Sequence, residues 1–316
     1  MKSKNNKKGE KIMMNLKEMS ESVAMRLQRD GYEAEVTSAM KNSVSKMAIV
    51  VNAGNDTVRP IFYTEDLMKC VENVMDLDSM IEKMEDMIIN YLQQDNNSLD
   101  TNKAIAIAEK IKNWSSVKNN VRVCIRREST EENVVKITIL GMEAYIRIFE
   151  ADKDGVRSII VTPQILKSWG ITEDTIWTNA ISNTRKAFTI NGMEETLKEL
   201  GVDIIDQATD EIAPDIMVVT NREKINGAGI LFDFDTMNAL CHKYNTSFVV
   251  LPSSIHEFLL FPYKPDMPGS FFTNMVKEVN ETQVAPEEQL ADTAFVFKKD
   301  VGLSIYNDGY KYTITL

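Results

Sequence analysis

SFVVLPSSIHEFLLFP (Ser247–Pro262) places two apolar runs on either side of a short polar break, and its reading decides the fold. Both runs have the length and residue types of strands, and Pro252 with the serine pair Ser253–Ser254 marks a tight turn, so the stretch predicts a β-hairpin. Phe258 to Phe261 would be apolar on both faces of a strand, which puts the hairpin inside a sheet covered on both sides. Upstream, the pattern predicts a strand at IMVVTN (Ile216–Asn221), a turn at REKINGAG, a strand at GILFD (Gly229–Asp233) and a helix over Thr236–Lys243. Downstream, Pro262, Pro265 and Pro268 interrupt regular structure. A helix near Phe271–Val279, a short acidic helix from Pro286 and a meander (TAFVFKK, GLSIYND, YKYTITL) with a hairpin signal at Asp308–Gly309 complete that end.

The same two periods organise the rest. Leu16, Met19, Val23 and Leu27 recur at helical steps within Lys11–Asp30, and Gly31 closes that helix. YEAEVTSAM and SKMAIVVN flank Lys41, Asn42 and Ser43, and TVRPIFYTED follows, which predicts two or three antiparallel strands. Leu77, Met80, Ile81, Met84, Met87, Ile88, Tyr91 and Leu92 form a wide helical stripe, read as core. A further helix is expected around Asn102–Trp114. VRVCIRRE, NVVKITIL, AYIRIFEA and VRSIIVTP then read as strands, with Asp154–Gly155 turning the last pair. Thr162 before Pro163 predicts a capped helix ended by Gly170, Thr172 caps a second, and a third is expected over Met193–Leu200. The fold class is therefore α+β, mostly antiparallel sheets with helices packed on them. The expected organisation is a disordered basic tail over 1–12, a helix-rich α+β region over 13–118 and an α+β domain over 119–316.

Composition narrows the class of function. The 316 residues are 43% apolar and carry a formal charge of −11; the first eleven residues hold five lysines and one glutamate, which leaves −15 for the remainder. Phosphate affinity comes from clustered cations, so no nucleic-acid role is expected of the folded body. No apolar run approaches the roughly 18 residues of a membrane span, and IMMNL is too short for a signal-peptide core, so no membrane association and a cytoplasmic location are expected. Cys70, Cys124 and Cys241 are odd in number and far apart, which fits reduced thiols.

Candidate chemistry centres on the opening stretch. Ser254 and His256, two apart, would share a face of a strand, so a serine–histidine contact with Glu257 as orienting acid is the conceivable catalytic set; Asp233 is a more distant choice of acid. Ser253, Asn221 and Asn226 are the candidate binding residues around it. The competing reading is a hairpin whose turn serines bond backbone amides while the histidine packs beside it. There is no G-x-S-x-G elbow, and INGAG precedes a predicted strand instead of opening a helix, so neither a hydrolase elbow nor a nucleotide loop is read. Two histidines in different elements, and a DFD run better explained by helix capping than by calcium, leave metal sites and cofactors unexpected. Cys241 could approach His256 only if its helix packs on the hairpin's sheet.

Taken together, VTPQILKSWGITEDTIWTNAISNT, VVTNREKINGAGILFD, FVVLPSSIHEFLLFP and NMVKEVNETQVAPEEQLAD resemble a family of bacterial proteins of about this length, described as a domain of unknown function, from the first helix to near residue 305. The middle block is also distantly similar to a second such family sharing the W-x-[IL]-[ST]-E-[ED] pattern. The resemblance implies a bacterial, cytosolic α+β protein and carries no activity, cofactor or catalytic residue. It marks the serine–histidine hairpin and the Asn226–Gly227 turn as features of the group. The residues therefore support a non-catalytic protein-binding or regulatory protein first. A hydrolase of small acyl or ester substrates using Ser254 and His256 is the second reading, and mimicry of acidic surfaces a third.

Overall fold

Leu16, Met19, Val23 and Leu27 fall on one stripe of the first helix, and all four are buried. In the computed structural model, which describes residues 4–41, 44–52, 59–71, 73, 76–93, 105–152, 155–192 and 216–307, that helix is α1 (Lys4–Arg29). The chain forms two compact units, residues 1–111 and 112–316.

In the first unit α1 ends at Gly31, whose φ of 92° is a left-handed exit that glycine adopts without strain. The chain then enters the hairpin β1 (Glu33–Lys41) and β2 (Val44–Asn52), paired from Glu33↔Asn52 to Lys41↔Val44, with β3 (Ile61–Tyr63) on the far side of β2. Helices α2 (Thr64–Cys70), α3 (Leu77–Gln93) and α4 (residues 105–111) follow. Val23, Leu27, Ile49, Val51, Met84 and Ile88 build the core, with Met80 and Met87 packed against it. The middle of the helical stripe, Ile81, Met84 and Ile88, is therefore interior, while Leu77 and Tyr91 at its ends stay exposed.

The second unit begins with α5 (Trp114–Val117) and a four-stranded antiparallel sheet. Its long central strand β6 (Met142–Asp152) pairs β4 (Val121–Arg127) on one edge, and β5 (Lys136–Ile139) and β7 (Gly155–Ile160) on successive halves of the other. Thr162 caps α6 (Pro163–Trp169), which Gly170 ends at φ 67°, and Thr172 caps α7 (Glu173–Ala187). The edge of β4 away from β6 is sealed by α7. Val123 N–H donates to Thr184 Oγ1 at 2.9 Å, and Asn183 Nδ2 donates to the carbonyls of Lys118 and Val121. Side chains here do what a neighbouring strand would otherwise do.

A six-stranded antiparallel sheet completes the unit in the order β13-β12-β10-β11-β9-β8. Its members are β8 (Phe188–Gly192), β9 (Met217–Asn221), β10 (Phe248–Leu251), β11 (Phe258–Pro262), β12 (Phe295–Lys298) and β13 (Gly302–Ile305). The hairpin predicted over Ser247–Pro262 is β10–β11. It lies inside the sheet, with β12 beyond β10 and β9 beyond β11. Helices α8 (Phe234–Tyr244) and α9 (Gly269–Thr282) belong to the same half. Three arginine forks tie the two sheets and α7 together: Arg122 to Glu223, Arg127 to Asp292 and Arg185 to Asp233.

The fold departs from the residue patterns in five places, the first being α1, which already runs from Lys4 within the stretch 1–12 expected as a disordered tail. Gly229–Asp233 is not a strand; Gly227–Phe232 forms a 3₁₀ helix, because Gly229 lies directly against the Val123 carbonyl of β4, where an extended side chain could not fit. β8 begins at the residue after α7, so a strand stands where the helix was expected to lead onward. β11 starts at Phe258, so Ser254 and His256 lie in the connecting loop and not on a strand. The acidic segment at Pro286 is a single 3₁₀ turn, Pro286–Glu288. The expected helix over Met193–Leu200 and the turn at Asp308–Gly309 lie outside the described residues.

Candidate functional site

Three connections meet at one end of the six-stranded sheet: the turn after β9, the loop between β10 and β11, and the 3₁₀ turn at Pro286. The first is wound tightly around one side chain. Asn221 Nδ2 donates to the Ile225 carbonyl at 2.8 Å while Asn221 Oδ1 accepts the Ile225 N–H at 3.2 Å, and the Asn221 carbonyl accepts from Lys224 N–H. A primary amide offers donor and acceptor on one rigid plane, which lets it imitate a strand partner and close the turn. Lys224 and Asn226 sit at φ 55° and 52°, both left-handed without being glycine.

The second connection is stitched to the first. Thr220 Oγ1 donates to the His256 carbonyl at 2.8 Å, and Ala228 N–H donates to the Ile255 carbonyl. A Cβ on Gly227 would stand 2.5 Å from Asn221 N and 2.6 Å from the His256 carbonyl oxygen, so the close approach of the two loops requires glycine there. His256 Nδ1 accepts the backbone N–H of Asn226 at 3.1 Å. The third connection closes the arrangement. Ile255 N–H donates to the Glu288 carbonyl at 2.8 Å, and His256 Nε2 lies 3.5 Å from Glu288 Oε1.

The sequence-predicted residues Ser254, His256, Asn221 and Asn226 are thus brought together, in roles of a particular kind. Ser254 Oγ is buried and accepts the backbone N–H of His256 at 3.0 Å. No hydrogen bond joins that hydroxyl to either imidazole nitrogen, and since Nδ1 already accepts an amide proton, the base a serine nucleophile needs is turned elsewhere. Glu257 contributes its carbonyl, which accepts from Ser254 N–H, and its carboxylate makes no hydrogen bond to Ser254 or His256. Asn226 contributes its backbone N–H. Ser253 borders an apolar hollow of about 50 Å³ between Leu251, Leu259, Met275 and Val279, room for a few waters at most. Asp233 is held by Arg185 and by Thr236 Oγ1. Cys241 makes no hydrogen bond to His256, and burial with the nearby Asp300 carboxylate pushes its thiol up to about 11.

Glu288 and Thr220 belong to this cluster and were not legible as such, because nothing in the residue pattern links positions so far apart in the chain. Among the described residues, no group of three or more His, Cys, Asp or Glu is placed to hold a metal ion.

A family model described as Family of unknown function (DUF5688) matches residues 13–299. The chain belongs to this family. The DUF5688 match takes in both units and every residue of the loop cluster, and the family's description carries no activity. No curated protein and no solved structure matches the chain. Among the described residues of this DUF5688 member, no helix is long and apolar enough to cross a membrane.

Proposed function

We propose that this DUF5688 protein is a non-catalytic, cytoplasmic protein-binding or regulatory protein, and that the turn Asn221–Asn226 with the His256–Glu288 pair is its recognition surface. One observation carries the reading. Two non-glycine residues, Lys224 and Asn226, are held left-handed within a single turn whose neighbours fix it on both sides. For Lys224 such backbone is disfavoured by roughly 1 kcal/mol or more, while asparagine tolerates it better, and it persists where surrounding contacts over-determine it, characteristically at sites of recognition. The groups displayed there, Lys224, His256 and Glu288, are polar and reachable by solvent, while Ser254 is not. A rigid loop of mixed charge on an acidic body suits a protein partner better than nucleic acid.

The test has two arms. A serine-reactive fluorophosphonate should leave the native chain unlabelled; labelling that disappears in Ser254→Ala would replace this reading with the acyl or ester hydrolase. A photo-crosslinker placed at position 224 should trap a discrete partner in the host cell, whereas one at the exposed Asp174 should not. Equal or absent trapping at the two positions would count against recognition by this turn.

A further inference from the structure

One face of the four-stranded sheet carries a charge pattern that its own residues do not complete. Arg122 on β4 and Arg147 on β6 are directly opposite each other in the register, on the face that also bears Arg126, Lys136, Glu143 and Tyr145. Opposed side chains on adjacent antiparallel strands stand about 5 Å apart at Cβ, where like charges repel. Arg122 is neutralised by both carboxylate oxygens of Glu223, each at 2.9 Å. Arg126 and Lys136 share Glu143, and Arg126 also reaches Glu131 at 2.6 Å.

Among the described residues no carboxylate pairs with Arg147. Its Nε donates to Ser158 Oγ at 2.9 Å, and its terminal nitrogens make only long contacts of 3.4 Å, to the Ser158 carbonyl and the Tyr145 hydroxyl. Its guanidinium lies 5.9 Å from the Tyr145 ring centroid. Among the described residues, four cations (Arg122, Arg126, Lys136 and Arg147) thus face three carboxylates (Glu131, Glu143 and Glu223), leaving one positive charge over on this face of a chain whose total is −11. Arg147 is only half-buried, so part of the residue meets solvent.

We propose that Arg147, with Arg122 opposite it, forms a binding site for a small oxyanion, a phosphate or a carboxylate. A guanidinium presents paired N–H donors whose spacing matches two oxygens of either group, and a site already partly withdrawn from water strengthens such charge-assisted bonds. Ser158 is placed to help: its Oγ accepts from Arg147 Nε, which leaves its own O–H to donate toward an anion on that guanidinium. The bound anion supplies the charge that Glu223, committed at both oxygens to Arg122, cannot.

Calorimetric titration of the full-length chain with inorganic phosphate, and separately with succinate, at an ionic strength held near ~0.15 M with chloride tests the site and separates the two anions. Saturable millimolar or tighter binding of at least one is expected, and the tighter of the two names the class. Arg147→Gln should weaken it by at least about tenfold, and Arg147→Lys, which keeps the charge but loses the fork, by an intermediate factor. Arg157→Gln, on the opposite face of the same sheet, should leave it unchanged. No saturable binding of either anion by the native chain would overturn the proposal, as would undiminished binding by Arg147→Gln or Arg147→Lys, or an equal loss in Arg157→Gln.

Discussion

His256 Nδ1 accepts the backbone N–H of Asn226 at 3.1 Å, across 30 residues of sequence. With Nδ1 accepting that amide proton, the neutral imidazole carries its own proton on Nε2, which lies 3.5 Å from Glu288 Oε1. The histidine therefore works as a clasp between two loops, and its basic nitrogen is unavailable to Ser254.

The neutral imidazole should accordingly be the Nε2–H tautomer, visible as a distinct pair of ring nitrogen shifts in a long-range proton–nitrogen spectrum. His256→Ala should lower stability by about 1–2 kcal/mol in chemical denaturation, since Asn226 N–H loses its partner. An Nδ1–H ring, or an alanine variant as stable as the native chain, would contradict the clasp.

Gly229 sits where β4 and the 3₁₀ helix touch through their backbones. A Cβ there would stand 2.0 Å from the Val123 carbonyl oxygen, whereas at Gly192 it would meet nothing within 4 Å. Gly229→Ala must push the helix off the strand and should destabilise by about 3 kcal/mol. Gly192→Ala should change stability by less than roughly 0.5 kcal/mol. Urea unfolding of the two variants compares them directly, and similar values for both would refute the close contact.

That glycine also explains where sequence reading stopped. Thr162–Pro163, Thr172 and Asp233 cap helices as their residue types dictate, because capping is settled within three residues. The hairpin β10–β11 was equally legible, since its two apolar runs and the proline–serine break are local. Gly229–Asp233 was not: its residues suit a strand, and the 3₁₀ path comes from backbone contact with a strand about 100 residues earlier in the chain. Ser254 and His256 are neighbours by sequence alone, but the partners of His256, the Asn226 amide and Glu288, come from other connections. Arg126 and Glu143 were legible in principle as charges within apolar strands, VRVCIRRE and MEAYIRIF, whose pairing only the register reveals.

Glu143 is fully buried and holds Arg126 Nε at 2.5 Å, Lys136 Nζ at 2.8 Å and Ser129 Oγ at 2.7 Å. Burial alone would raise its carboxyl, but Lys136, Ser129 and Arg126 outweigh it and keep the group below the ordinary value. Glu143→Gln would leave Arg126, itself 1% exposed, without its principal counter-charge. A loss of about 3–5 kcal/mol is expected. Glu223→Gln, in a pair where both partners meet solvent, should lose less, roughly 1 kcal/mol. Thermal melts that rank the two variants in the opposite order would dismiss the buried cluster as the stronger constraint.

Asp233 ties stability to pH. Burial acts to raise its pKa, yet the Arg185 fork and Thr236 hold the carboxyl below its ordinary 3.8. A carboxyl whose folded pKa is depressed favours the native state when ionised, so its contribution is complete well above the ordinary value and is lost as pH falls through the folded pKa. Glu143, Glu223 and Asp292 are lowered as well, so their contributions disappear in the same acid range. Arg185→Met removes the fork and leaves a carboxylate that is 5% exposed facing only Thr236. Because the Arg185 side chain is itself 47% exposed, solvent screens the pair and the loss should be about 1–2 kcal/mol near neutrality. Urea unfolding across pH should therefore show the native chain and the variant furthest apart at neutral pH and converging as both approach pH ~3. A gap that stays constant down to that acidity would mean that Arg185 stabilises through packing alone and that the Asp233 charge contributes nothing.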